Sequence, residues 1–330
     1  MTVLKTADLN FGTIVASIVR NQLNRTVSMA PYLEVRRGKN ASGPVWNFET
    51  SGATSATHAI GAAYPTAAQD TNLQASLNWG RYHESFEIAD ETLSDGAMMH
   101  NPEAYTSEFL RQLQTAVGVM AKKVEHDSFS GSDTTNGIIG YDSAIADGNT
   151  YANVIRGSVT AWQSYVKAAG SLTTLSKDNL LAFLAQIGDN CGELPTHCFL
   201  SHQTLNKVKS LFDSNIVFNV PGFDYIGTGR MPVQIEGVVF VPVGSADGYG
   251  GSTTANNGRI YAVNSNYVHY EVKPYLNDGK KVIVDNLPFG MQVVADPTGA
   301  HSSRAVVRNV IQLVVEKPVA CGVFKDINIA

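Results

Sequence analysis

Residues 101–127 read NPEAYTSEFLRQLQTAVGVMAKKVEHD, and this stretch predicts one long helix around which the other segments are ordered. Asn101 has the short polar side chain favoured at an N-cap. Pro102 suits the first helical position, where its missing N–H would have no partner anyway. Tyr105, Phe109, Leu113, Ala116, Val117, Met120 and Val124 recur at spacings of three and four and form one apolar stripe. Glu103 near the start and Lys122 and Lys123 near the end suit the helix dipole. Gly118 costs about 1 kcal/mol relative to Ala in a helix, which predicts close packing there.

Upstream the pattern changes to strand. Val45-Trp46-Asn47-Phe48-Glu49 alternates as a half-buried strand does. Ser51 to Ala68 is mostly Gly, Ala, Ser and Thr, without periodicity. Gln74 to Ala89 reads as one long strand bearing Leu77, Trp79, Phe86 and Ile88. Two strands joined by such a tip make a β-arm. A lone two-stranded ribbon is marginal in water, so the arm needs a surface to lie on, and a neighbouring subunit is the natural one. Residues 1 to about 35 mix short apolar and polar runs and read as a second, N-terminal arm.

Downstream, a short helix is expected over about Ser158–Ala169. Ser176 caps a helix running to about Asn190, Thr196–Leu200 is a buried strand, and Ser201 caps another helix carrying Leu205, Val208 and Leu211. Val233–Val243, Ile260–Val263, Tyr267–Val272, Gln292–Ala295 and Arg304–Val315 read as strands. No internal repeat is visible.

Composition narrows the function. The 330 residues are 44% hydrophobic but only 16% charged, against about 25% charged in ordinary globular chains. That shortfall suits a surface buried against partners. A net charge of −5 excludes a strongly basic nucleic-acid footprint. Cys191, Cys198 and Cys321 are an odd number without zinc spacing, so free structural thiols in a reducing compartment are expected. No run approaches the ~18 apolar residues of a membrane span. GxSxG, GxxxxGK[ST], GxGxxG and HExxH are all absent. The eight histidines are scattered; His197 and His202 flank one strand and could face each other. Glu84, Glu87, Asp90 and Glu91 cluster near the end of the Gln74–Ala89 strand and read as ionic latches between subunits rather than an acid–base pair. No residue is assigned a catalytic, cofactor-binding or metal-binding role, and no enzyme activity is expected.

Three stretches carry a family resemblance. Trp79–Ala97, with Ile88-Ala89-Asp90-Glu91-Thr92-Leu93-Ser94-Asp95, resembles the end of the extended loop before the spine helix of tailed-phage major capsid proteins with the HK97 fold. Leu172–Asp213 resembles the opening of their axial domain, and Arg304–Ile327 their closing strand and Pro-containing final segment. The resemblance implies an α+β fold with an N-terminal arm (about 1–35), an extended β-loop (36–90), a peripheral domain (91–171 and 296–330) and an axial domain (172–295). It implies a structural capsid protein of the virion, assembled in the host cytoplasm. Its copies would form hexamers and pentamers around double-stranded DNA held without sequence specificity, with portal, scaffolding and decoration proteins as further partners. Some members join a loop Lys to an Asn of a neighbour. Lys39 is the one Lys in the loop region and lies near its base, so no such crosslink is expected. The alternatives are an encapsulin-like compartment shell and, from another class, an enzyme of unknown type.

Overall fold

The computed structural model describes residues 17, 32–51, 71–89, 102–168, 170–212, 232–243, 257–273, 282–287, 291–296 and 302–328. Most of the N-terminal arm, the Gly/Ala-rich loop tip, Asp90, Glu91 and the Asn101 cap lie outside them.

Four strands precede the long helix: β1 (Glu34–Arg37), β2 (Val45–Ser51), β3 (Thr71–Ser76) and β4 (Gly80–Ala89). The expected single strand from Gln74 is thus two strands. The chain breaks at Leu77-Asn78-Trp79 because these residues are claimed by different neighbours. Leu77 N–H donates to Pro44 O at 3.0 Å, Asn78 O accepts from Gln312 Nε2 at 2.6 Å, and the buried Trp79 indole donates to Asn40 O at 3.2 Å.

The helix, α1, spans Pro102–Ser130. Phe109, Leu113, Ala116, Val117, Met120 and Val124 are buried, as the stripe predicts. The helix continues past Asp127, so Lys122 and Lys123 do not sit in its last turn. Lys123 instead pairs with Asp127 one turn on, at 2.9 Å. Gly131 ends the helix where the returning chain presses in: a Cβ there would stand 2.2 Å from Ile138 O.

A short helix α2 (Tyr141–Ala144) and a small hairpin, β5 (Thr150–Tyr151) with β6 (Val154–Ile155), follow. The helix expected over 158–169 is replaced by two 3-10 turns, Arg156–Ser158 and Thr160–Trp162, and strand β7 (Tyr165–Lys167). The β-branched and aromatic residues Val159, Tyr165 and Val166 favour extended backbone, and β7 gains a parallel partner. Then come β8 (Thr173–Thr174), α3 (Lys177–Cys191), β9 (His197–Leu200) and α4 (His202–Leu211). Ser176 and Ser201 cap the two helices by accepting from Asn179 and Thr204 N–H. The run expected as one strand over 233–243 is a hairpin of β10 (Val233–Ile235) and β11 (Val238–Pro242). Its turn residues Glu236 and Gly237 both have positive φ, 51° and 84°, the geometry that matches strand twist in two-residue hairpins. Strands β12 (Asn257–Val263), β13 (Val268–Val272), β14 (Val282–Leu287), β15 (Met291–Asp296), β16 (Ser302–Val315) and β17 (Gly322–Asn328) complete the fold.

These strands form two main sheets. One has the order β1-β13-β16-β15-β14, with β4 also pairing along β16. The other has the order β10-β11-β9-β12-β17-β7, with β8 also on β17. The sheets do not follow chain order: β17 joins the sheet of β9 and β12, while β13 joins that of β16.

Period-two alternation divides the second sheet between two cores. Cys198, Leu200, Val238, Phe240, Ile260, Ala262 and Phe324 pack under α3 and α4. Phe199, Val239, Val241, Tyr261, Val263 and Val323 face a core shared with the first sheet, through Tyr270, Ile311 and Leu313. Burial on both faces explains the unbroken apolar run Val238-Val239-Phe240-Val241. On the first sheet, α1 packs Phe109, Leu113 and Val117 against Phe86, Val293, Ala305 and Val307.

Candidate assembly interface

The β2–β3 ribbon is a two-stranded sheet of its own, apart from the two main sheets. Its register pairs Trp46 with Ala75 and Phe48 with Leu73, which places both aromatics on one face. That face lies on Trp162. Phe48 stacks on the Trp162 ring at 3.9 Å between centroids and Trp46 at 6.2 Å. Trp46 also donates to Glu316 O at 3.3 Å. The other face carries exposed Asn47, Glu49, Asn72 and Gln74. Trp46, Phe48 and Trp79 lie on the arm that the sequence expects to rest on a neighbouring subunit. They are instead held by the subunit itself: Trp79 is buried in the body, and Trp46 and Phe48 root the ribbon. The reason is Trp162, whose role no upstream periodicity announces.

Trp162 has a built seat. Its indole donates to Tyr151 O at 3.2 Å. Its carbonyl accepts from Arg156 Nε at 3.2 Å. Arg156 is fully buried and also donates to the carbonyls of Gly148 at 2.8 Å, Ser143 at 3.0 Å and Ala144. Burial pulls its guanidinium below the usual arginine range. One planar cation with fixed donors thereby ties together a segment with little regular structure of its own. The β5–β6 turn pins the base of the ribbon, where Ser76 pairs with Val45: Ala152 O accepts from Ser76 N–H at 3.0 Å, and Asn153 Nδ2 donates to Ser76 Oγ at 2.7 Å.

The singled-out polar residues do not converge. His197 is a packed ring against Tyr32 and Phe199 with Thr196 Oγ1 at 2.8 Å, and burial lowers its pKa to about 4. His202 is exposed at the start of α4. Glu84 and Glu87, three apart on β4, point to opposite faces, so they do not form an acid pair. Cys191, Cys198 and Cys321 are free thiols. Burial pushes Cys321 up to about 12 and Cys198 higher still. Among the described residues, no group of three or more His, Cys, Asp and Glu is placed to hold a metal, and no helix is long and apolar enough to cross a membrane.

No family sequence model matches the chain, and no curated protein sequence is similar to it. Solved structures do match. The chain is similar to the capsid subunit of cyanophage A-1(L), at 17% identity and a TM-score of 0.67, with 91% of each chain covered. It is similar to the capsid of an empty GTA particle at 13% identity and a TM-score of 0.59, covering 91% of this chain and 89% of that one. It is also similar to an encapsulin complex from Synechococcus elongatus, at 11% identity and a TM-score of 0.55, covering 92% and 88%. Each match covers about nine-tenths of this chain. The chain has the HK97-like fold of phage capsid subunits.

Proposed function

We propose that this chain is a structural major capsid protein that self-assembles into an icosahedral shell around double-stranded DNA. One observation carries the reading: a body with two sheets and a spine helix holds, on the Trp162 seat, a ribbon whose outer face has no core of its own. Such a ribbon is ordered most economically by lying on another copy, since fixing a backbone residue costs about 1–2 kcal/mol. Individually weak contacts repeated by symmetry then close a shell. In this reading residues 1–35 are an arm, 36–90 the extended loop, 91–171 with 296–330 the peripheral domain and 172–295 the axial domain. Hexamers and pentamers are the capsomers. Portal, scaffolding and decoration proteins are further partners, and the virion is the destination after assembly in the host cytoplasm. The chain would fill no catalytic role. The likeness to an encapsulin complex favours a second reading, a compartment that encloses protein cargo.

The test is imaging of particles from producing cells, with nuclease treatment. Closed particles protecting long double-stranded DNA support the capsid. Closed particles holding protein and no DNA support the compartment. A purely monomeric protein refutes both. Replacing residues 52–68 with a short Gly-Ser linker should leave a folded subunit that forms no stable shell. Normal particles from that variant would make the loop decoration.

A further inference from the structure

The His269 side chain is fully buried, yet neither ring nitrogen makes a hydrogen bond. It lies on β13, the strand between edge strand β1 and the long β16. Nε2 is 3.6 Å from Glu271 Oε1, and Nδ1 is 3.8 Å from Glu316 Oε1. Glu316 is bound by Arg36 of β1 at 3.0 Å, and Arg36 also holds Glu34 at 2.7 Å. Glu34 is the register partner of His269. Lys273 follows on the same face of β13 but sends its ammonium to Ala41 O at 2.7 Å. The charged groups on this side of the sheet are therefore Glu34 and Arg36 from β1, Glu271 from β13, Lys273 just after it, and Glu316 after β16.

A carboxylate only accepts hydrogen bonds, and a neutral imidazole has one N–H and one lone pair. With a carboxylate on each side, a neutral ring always turns a lone pair toward an acceptor. An imidazolium donates both ways. Contacts of 3.6 and 3.8 Å need only a small closure to become charge-assisted hydrogen bonds. A buried polar ring with no partner is unfavourable otherwise.

We propose that His269 is a proton-operated clamp that, when charged, draws in Glu271 and Glu316 and through Arg36 holds β1 on the sheet. The position gives the clamp leverage. Directly after β1, Gly38 N–H donates to Val272 O at 2.8 Å, and the Glu316 carbonyl receives the Trp46 indole. The clamp thus sits where the body meets the root of the ribbon. The contribution belongs to the charged ring, so it is present while the ring carries its second proton and is lost as rising pH removes it.

Hydrogen exchange on the purified chain, corrected for the intrinsic pH dependence of exchange, tests this. Between pH 5 and 8, protection of the 34–38 amides should fall about tenfold or more, the scale of one charge-assisted hydrogen bond, while β9 and α3 stay constant. His269→Gln donates and accepts at every pH and should give a flat profile. Glu316→Gln should lower β1 protection at pH 5 toward the pH 8 level. A flat wild-type profile overturns the proposal. So does an unchanged slope in His269→Gln, which would assign the effect to the carboxylates. If that variant does not fold, histidine-labelled NMR of the wild-type chain decides: a His269 ring already neutral at pH 5 overturns the clamp.

Discussion

Trp162→Ala should detach the ribbon from the body before it unfolds the body. Trp162 is 1% exposed, and truncating a buried Trp or Phe costs about 3–5 kcal/mol. Aromatic pairs add about 0.5–1.5 kcal/mol each beyond burial, and Trp162 forms them with Phe48 at 3.9 Å, Tyr151 at 6.1 Å and Trp46 at 6.2 Å. That is a large part of a typical stability of about 5–15 kcal/mol. The chain has a cheaper response, because the ties that remain to the ribbon include only local ones such as Trp46 to Glu316 O and to the Tyr151 ring at 6.5 Å, and Ser76 to the β5–β6 turn. Limited chymotryptic digestion with intact-mass readout separates the outcomes. Early cleavage within 45–51 and 71–76, with the β9–β12–β17 sheet protected, is expected. Trp162→Phe, which keeps a stacking surface, should be cut more slowly than the Ala variant. Wild-type cleavage rates in Trp162→Ala would refute the seat. Simultaneous loss of both sheets would show that Trp162 supports the whole core and not the joint.

Phe109, 5% exposed and edge-on to Phe86 at 5.3 Å, should cost about 3–5 kcal/mol on truncation to Ala; soluble variant protein with an unchanged urea midpoint would remove α1 from the core. His197 has its pKa lowered from 6.5 to about 4 by burial, so the unfolded chain takes up the proton first and stability present above pH 6.5 is lost toward pH 4. The drop in urea midpoint between pH 7 and 4.5 should therefore shrink in His197→Phe, and an equal drop in both proteins would contradict it. Toward a thiol reagent, half-buried Cys191 should react in the native protein while Cys198 and Cys321 wait for denaturant; three fast thiols would contradict the burial.

What could be read in advance depended on how local the cause was. The α1 stripe, the Ser176 and Ser201 caps and the buried strand at 197–200 were legible because residues within one turn or one strand determine them. The break at Leu77–Trp79 was not, because its causes are Pro44, Asn40 and Gln312, far away in sequence. The 158–169 segment misled for the same reason: its short apolar spacing fits a helix, but Arg156 and strand β17 supply better partners for its backbone. The Glu236-Gly237 turn was in principle readable, since a Gly inside a strand-like run between Val233-Gln234-Ile235 and Val238-Val239-Phe240 marks a break in the strand. The ribbon's aromatics were seen, but their seat was not, since nothing near Trp46 in sequence points to Trp162.

The placement of β17 sets a condition on synthesis. This strand lies between β12 and β7, so residues 165–167 wait for a partner that is translated only when the ribosome reaches residue 322. At about 5–20 residues per second, that interval is on the order of ten seconds, during which the β7 edge, joined later by the β12 edge once residue 263 is made, is open to any passing strand. Nascent chains crowded on one messenger are therefore the population most exposed to mispairing. A chain terminated before residue 322 lacks the strand that joins these edges, which would keep prematurely ended products from entering an assembly as near-complete subunits.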